Sequence, residues 1–385
     1  MRLPQKPIDL LKLQTASDLS SEDFHDFFQA PRLSKPEMHL LLKPYFVLDR
    51  HAERFKPIEY EYTTLENGKV FTRIWWVQPH PKYGLPGPFD RDVCIVIHEI
   101  VNEQYLSRSL LVPATMPIGT LREFAKRMQI APSGQNLAAI KESLNRLKNT
   151  LIDAQETFFD NKKKRYVSLR ITLLRGFILA GQEDENGTRY EQNYVMFDET
   201  ILSNLNTGYV MVIDVDSLRK LKSNIGKQLR THLVYRFHLA QENGQDFWLA
   251  DYDWLAMHLG IKPQTELWRA KQQLEHAHEE LKATEYLASY DWDGWRVIYR
   301  PGNAWKGEQL RRRTGKAKHA GRESSAAAMS LLTNEPNMEH DPLIPALVAF
   351  ASGLSVGEER IRALGLTAEE ATALCEERNI FVKKH

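Results

Sequence analysis

The chain has 385 residues, of which 42% are hydrophobic and 26% are charged, as in an ordinary globular protein with room for two or three domains. No apolar run approaches the roughly 20 residues that a membrane-spanning helix needs, and the first residues do not resemble a signal peptide. The cysteines, Cys94 and Cys375, form no CxxC pair, which fits a reducing compartment and excludes a disulfide framework. We therefore expect a cytoplasmic protein with no metal or other cofactor and no membrane partner.

The formal net charge of +1 conceals an uneven distribution. Residues 162–175 contain six Lys or Arg and no acid, and residues 217–238 contain six more, again with no acid. From Glu335 onward, nine acidic residues outnumber five basic ones. A field that attracts a polyanion depends on local charge, so the basic middle of the chain is compatible with nucleic acid.

The first part of the chain is mixed in character. Residues 1–56 are predicted to form an extended arm with local helix, because prolines separate two short amphipathic stretches. Alternating side chains on both sides of Asn67-Gly68 predict a hairpin over residues 57–80. A helix with an apolar face is expected from Asp90 to Gln104.

A unit that occurs twice follows. Phe124 to Pro132 aligns with Leu255 to Pro263, about 130 residues later. The apolar positions of the next helix repeat at identical spacing, as Leu137, Ile140, Leu144, Leu147 and Leu151 and then as Leu267, Ala270, Leu274, Ala277 and Leu281. Each copy predicts a short helix, a tight turn, a long amphipathic helix and a strand pair, the order of a winged helix-turn-helix.

In the first copy, Thr120 and Glu123 have the pattern of a capping box. The long helix is expected from about Ser133 to Ile152, and a strand pair around Tyr166–Leu179 with the basic residues 161–165 at its tip. A polar turn at Glu183–Gly187 should precede a further strand that ends at Phe197.

Between the copies, a helix pair broken at Gly226 is expected over Ser217–Ala240. The second copy should comprise helices at Asp251–Leu259 and Gln264–Leu281 and a hairpin turning at Asp291–Gly294.

Residues beyond the second copy lack a periodic apolar face until about Asp341, after which two capping-box patterns, at Ser355 and Thr367, predict helices. The expected fold is α+β with two tandem winged helix-turn-helix domains. The predicted divisions are an N-terminal arm (1–56), a first winged-helix domain (57–213), a second winged-helix domain (214–301), a flexible basic linker (302–340) and a C-terminal helical module (341–385).

The second helix of each copy should present base-reading side chains opposite its apolar stripe. Arg pairs with guanine, and Gln or Asn with adenine, through two hydrogen bonds. The candidates for base contacts are Gln135, Asn145, Arg146, Thr265, Arg269, Gln272 and His276. A solvated helix face explains any one of them at least as well as a base contact does. The motif, its duplication and the basic hairpin tip together favour DNA.

Basic residues on the flanks should contact phosphates, which position a protein without specifying sequence. The candidates are Lys141, Lys148, Lys162, Lys163, Lys164, Arg165, Lys227, Arg230, Lys271, Arg311, Arg312 and Arg313. Residues 162–165 are predicted to be the tip of a wing, and the three consecutive arginines are either a solvated linker or a second DNA tether.

Catalytic patterns are weaker. His276 and His278 match the metal-binding histidines of rolling-circle nucleases, and Tyr190 and Tyr194 match their tyrosine spacing, but the histidines fall in a predicted helix and the tyrosines near a predicted strand, the reverse of those enzymes. There is no GxxxxGK[ST] loop for a nucleotide. We expect a protein without enzymatic activity.

The chain resembles plasmid replication initiators of the RepA/TrfA type, which are built on tandem winged helices. The likeness covers roughly residues 57–300 and is carried by the segments Pro86–Val93, Ile118–Glu123, Ile140–Leu147, Leu233–Phe237 and Leu267–Leu281. The resemblance implies binding to direct repeats at a plasmid origin, local duplex opening, and recruitment of the host initiator and replicative helicase. It also implies a homodimer in equilibrium with a monomer. The alternatives are a transcriptional repressor that binds an operator and, third, a nuclease or relaxase.

Overall fold

The computed structural model describes residues 32–48, 54–66, 69–183, 185–309, 361–362, 365 and 367–377. The elements below belong to a compact unit that begins at Leu33, and its fold class is α+β. The strands are β1 (Leu33–Ser34), β2 (Ile58–Glu66), β3 (Lys69–Gln78), β4 (Met116–Gly119), β5 (Leu151–Asp160), β6 (Arg165–Thr172), β7 (Leu174–Ile178), β8 (Asn193–Phe197), β9 (Ile213–Asp214), β10 (Trp248–Asp251), β11 (Leu287–Asp293) and β12 (Arg296–Pro301). The helices are α1 (His39–Leu42), α2 (Pro88–Gln104), α3 (Leu121–Arg127), α4 (Gly134–Asn149), α5 (Glu199–Asn206), α6 (Val215–Arg219), α7 (Asn224–Glu242), α8 (Tyr252–His258), α9 (Leu267–Ala283), α10 (residues 303–309) and α11 (Ala368–Glu377).

The second repeat (residues 224–301) has a simple order. Helix α7 is followed by β10, the helices α8 and α9, and the hairpin β11–β12. The three strands form an antiparallel sheet in the order β10-β12-β11, and α7 packs against α9. Ala270, Leu274, Ala277 and Leu281 are buried, so the predicted apolar stripe of α9 faces the core.

The first repeat (residues 88–197) has the same order with one interruption. Helix α2 corresponds to α7, and β4, α3 and α4 correspond to β10, α8 and α9. The matching sheet is β4-β8-β7, again antiparallel, with the strand before the helix pair next to the last strand. Ile140, Leu144 and Leu147 are buried on α4, which packs against α2.

The turn between the two helices is the most closely repeated feature. Gln129 and Gly260 occupy equivalent positions and have left-handed φ values of 59° and 58°. Just after them, the N–H of Ile130 donates to Ala125 O at 3.0 Å and that of Ile261 donates to Ala256 O at 3.0 Å. This left-handed residue ends the helix and reverses the chain at the same point in each copy.

The interruption in the first repeat is the inserted hairpin (residues 151–172), formed by β5 and β6. It joins β2 and β3 in a separate sheet of order β2-β3-β5-β6. The predicted strand pair at Tyr166–Leu179 is therefore wrong: Leu173 separates β6, which pairs with β5, from β7, which pairs with β8. The long helix also ends at Asn149 rather than Ile152, where β5 begins.

The buried strap (residues 36–48) lies between the repeats, and each of its residues is buried. The indole Nε1 of Trp75 donates to Pro44 O at 2.9 Å, and the N–H of Leu48 donates to Gly260 O at 2.9 Å. The strap therefore contacts both the β2-β3-β5-β6 sheet and the turn of the second repeat. This part of the predicted arm is a core element, not an extension.

The structure also tests the predicted helix break, the predicted linker and the predicted capping boxes near the end of the chain. Residues Lys220–Ser223 separate α6 from α7, so the predicted break at Gly226 lies one turn too far along. The predicted linker begins in helix α10, where Trp305 and Glu308 are buried; residues 310–340 lie outside the described part. Thr367 and Glu370 form the predicted capping box of α11, whereas Ser355 lies outside the described residues.

The paired strands β2 and β3 confirm the predicted hairpin, with Glu66 opposite Lys69. The predicted domain boundary between residues 213 and 214 falls within β9, whose two residues pair with β1. The other boundaries remain predictions.

Candidate nucleic-acid interface

Helix α4 is positioned by its N-cap and by its buried stripe. The Ser133 hydroxyl accepts from Asn136 N at 3.3 Å, and the stripe fixes which side chains face outward. Gln135, Lys141 and Lys148 are exposed, and half-buried Asn145 donates to Lys141 O at 3.1 Å. These predicted contacts share the outward face of one helix, together with the exposed Ala138.

Arg146 is a correction to the predicted base contacts. Its guanidinium is buried and bonds Asp90 Oδ1 at 2.6 Å and Tyr83 O at 2.9 Å. A third bond joins it to Glu142 at 2.5 Å. Because Asp90 is also buried, the pair is a structural link between α2 and α4, and Arg146 faces the protein rather than solvent.

Helix α9 presents a continuous exposed face. Thr265, which precedes the helix, and Arg269, Gln272 and His276 are all exposed, so the four predicted base contacts of the second repeat lie on the outer side. Arg269 Nε lies 3.2 Å from a Glu266 carboxylate oxygen. The orientation inferred from the apolar stripe therefore agrees with the placement of all four side chains.

A lysine of each second helix faces the hairpin of its own repeat. Lys148 Nζ lies 5.9 Å from the Phe177 ring centroid on β7, and Lys271 Nζ lies 5.8 Å from the Trp292 ring centroid on β11. Lys141 and Lys271 occupy equivalent positions in the two copies. Each repeat thus combines an exposed polar helix face with positive charge between the helix and the hairpin.

The basic turn (residues 162–165) is not where the wing prediction placed it. It ends the inserted hairpin, roughly 30 Å along β5 from the end of α4 at ~3.3 Å per residue. Lys163 Nζ is 2.9 Å from Asp160 Oδ2, and Lys164 Nζ donates to Asn161 Oδ1 at 2.9 Å. The four residues are exposed, but the strand pair of this repeat that is equivalent to β11–β12 is β7–β8.

Two other predicted phosphate contacts lie in the protein interior or close to it. Arg230 is buried, forms an ion pair with Glu308 of α10 and stacks 4.4 Å from the Tyr286 ring centroid. Arg230 is therefore a core residue, not a phosphate contact. Lys227 is largely covered and lies 3.7 Å from Asp92 Oδ2. Arg311, Arg312 and Arg313 fall outside the described residues.

The residues behind the catalytic alternative lie on different elements, the histidines on α9 and the tyrosines at β8. His276 is exposed and His278 buried on helix α9, and burial lowers the pKa of His278 to about 3. Tyr194 lies on β8 and Tyr190 precedes it. Among the described residues, no group of three or more His, Cys, Asp or Glu could hold a metal ion.

In the part of the chain that the structure describes, none of the helices has the length and apolar character that a membrane span requires.

Sequence reasoning missed the aromatic side chains of the second hairpin. Trp295 at its turn is 42% exposed, and its ring centroid is 5.6 Å from that of Tyr252, the first residue of α8. Trp292 lies 6.3 Å from the same tyrosine ring. The sequence offered one signal for them, the Trp-Asp-Gly-Trp run at the predicted turn. Two tryptophans on either side of a tight turn cannot both be buried in the core, so at least one is expected at the surface.

No protein-family model matches the chain, and no curated protein matches it. Two crystal structures of domains 2 and 3 of RctB are similar to it. The first, of selenomethionine derivatives, is 12% identical and covers 66% of this chain and 94% of that chain at a TM-score of 0.43. The second is 11% identical and covers 68% and 97% at a TM-score of 0.37.

Proposed function

We propose that the chain is a sequence-specific, double-stranded DNA-binding protein built on two winged helix-turn-helix domains. Helices α4 and α9 enter the major groove, and the hairpins β7–β8 and β11–β12 are the wings. The observation that carries the proposal is the duplicated order of helix, strand, two helices and hairpin, with the same left-handed turn in both copies.

The exposed faces of α4 and α9 supply what base reading requires. Gln135, Arg269 and Gln272 are exposed and offer the hydrogen-bond donors that base edges accept. Lys141, Lys148 and Lys271 provide positive charge beside them for phosphates.

The two helices carry different side chains at equivalent positions. Ala138 and Ala139 of α4 correspond to Trp268 and Arg269 of α9, and Glu142 corresponds to Gln272. Two helices with different exposed side chains in one chain fit a DNA site without internal symmetry. An inverted repeat, in contrast, matches a protein dimer with twofold symmetry. Asymmetric sites that each take one copy can be arranged as direct repeats, and this favours the initiator over an operator-binding repressor.

We further propose that the protein is a replication initiator acting at direct repeats of a plasmid origin, as its sequence resemblance implies. In that role it opens the duplex locally and recruits the host initiator and replicative helicase in the cytoplasm. It catalyses no reaction itself, and a homodimer forms in equilibrium with the DNA-binding monomer.

The test is a salt-dependent binding titration of the full chain against DNA from beside its gene. A fragment with tandem direct repeats should bind stepwise, one copy per repeat, with a shuffled fragment of equal composition as control. Binding only as a dimer to an inverted repeat would replace the initiator with the repressor. Equal affinity for native and shuffled DNA would overturn sequence-specific binding altogether.

A further inference from the structure

The first turn of α9 carries an unusual pair of neighbours. Trp268 is 59% exposed, although tryptophan is among the side chains that gain most from burial. The Arg269 guanidinium lies 5.1 Å from the Trp268 ring centroid. Arg269 Nε also lies 3.2 Å from a Glu266 carboxylate oxygen. The arginine therefore has contacts with both neighbours in the first turn of the helix, and the indole remains open to solvent.

The equivalent turn of α4 has neither an exposed tryptophan nor an arginine beside it. Ala138 and Ala139 stand at the matching positions, and α4 begins at Gly134, about one turn earlier than the position that matches the start of α9. The repeats share their frame but differ in the residues nearest the groove. The exposed indole is present in the second repeat and absent from the first, so it is a candidate for contact with a ligand group that only the second repeat binds.

The major groove displays one apolar group, the C5-methyl of thymine, which 5-methylcytosine also carries. A solvent-exposed indole gains free energy by covering such a methyl, and an arginine gains by pairing with guanine O6 and N7. Stacked bases are about 3.4 Å apart along one strand. A ring and a guanidinium 5.1 Å apart can therefore reach neighbouring base pairs.

We infer that Trp268 and Arg269 form a two-residue reader for a 5-methylpyrimidine next to a guanine, with Trp268 recognising the methyl group. This inference rests on the proposed function, because it requires α9 to lie in the major groove. It names the sequence element that the second repeat reads and the first does not.

The experiment begins with selection of duplexes from a randomised pool by the full chain. In the selected duplex, each thymine is then replaced singly by deoxyuridine, which removes only the methyl group. At one position beside a guanine, this replacement should lower the wild-type affinity about fourfold, the effect of losing the burial of one methyl-sized apolar group. Cytosine and 5-methylcytosine at that position should differ by the same factor if the methyl itself is read.

The variants separate this contact from a loss of fold. Trp268→Ala should bind the thymine duplex about fourfold more weakly and lose its sensitivity to deoxyuridine, whereas Trp268→Phe should keep that sensitivity. Trp295→Ala is the matched control, because Trp295 is also exposed but lies at the hairpin turn; its sensitivity should be unchanged. An equal deoxyuridine penalty in wild type and Trp268→Ala, or none in wild type, would overturn the inference while leaving the proposed function intact. Failure to enrich any sequence would overturn both.

Discussion

The two repeats have the same order of helices and strands, but only the first is interrupted by an insertion. The second is contiguous, with α7, β10, α8, α9 and the hairpin following one another without interruption. The first admits the inserted hairpin between α4 and β7, and the strands that close its three-stranded sheet lie up to 80 residues apart, Met116 pairing with Val195. The turn between the two helices keeps its left-handed residue and its closing hydrogen bond in both copies. The turn therefore does not depend on the insertion, whereas the position in the chain of the hairpin after the second helix does.

The largest expected effect concerns Arg146, whose counterpart in the second repeat is the exposed His276. Arg146→Ala should lower the free energy of unfolding by about 3 kcal/mol, because it leaves buried Asp90 without its closest ion-pair partner. His276→Ala should leave stability unchanged. Urea unfolding followed by circular dichroism measures both, and equal stabilities for the two variants would mean that Arg146 has no structural role.

The next effect concerns the matched turn residues. A Cβ on Gly260 would lie 2.0 Å from Phe46 O of the buried strap, in a backbone conformation that already disfavours side chains. Gly260→Ala should therefore lower the free energy of unfolding by more than about 2 kcal/mol. Gln129→Gly, at the equivalent turn, should raise it by up to about 1 kcal/mol by relieving left-handed strain. Thermal and urea melts of the pair would contradict the strap contact if both changes were neutral.

The smallest effect concerns charge. Lys148 lies at the end of α4 beside β7, and Lys163 lies at the tip of the inserted hairpin. Lys148→Ala should weaken binding to all sequences and flatten the slope of log affinity against log salt by about 0.9, the value for one phosphate contact. Lys163→Ala should leave the slope as it is. The reverse result would place the inserted hairpin, rather than α4, against DNA.

The two helices of each repeat could be predicted from the sequence because their signals are local. Apolar spacing set the buried face of α4 and α9, and Thr120 and Glu123 form the expected capping box at the start of α3. Thr265, Arg269, Gln272 and His276 reached the outer face for the same reason, although their contacts with DNA remain predictions.

The errors arose where distant segments decide the outcome. The basic turn was assigned to the wing because it follows α4 in the chain, but the pairing of β7 with β8 across the Glu183–Gly187 segment displaces it. Arg146 lies on the side of α4 away from its apolar stripe, and Arg230 lies on a helix that is buried on most sides, yet both are charged residues that local sequence favours at a surface. Their burial depends on Asp90 and Glu308, residues 56 and 78 positions away that no local pattern could connect to them.

The buried strap also bears on how the chain is made. Synthesis proceeds from the N-terminus, so residues 36–48 leave the ribosome before Trp75 and Gly260, which form hydrogen bonds with them. Trp75 offers the first partner, but the carbonyl of Gly260 that accepts from Leu48 emerges more than 200 residues later. The contact between the strap and the second repeat can therefore form only after most of the chain has been synthesised.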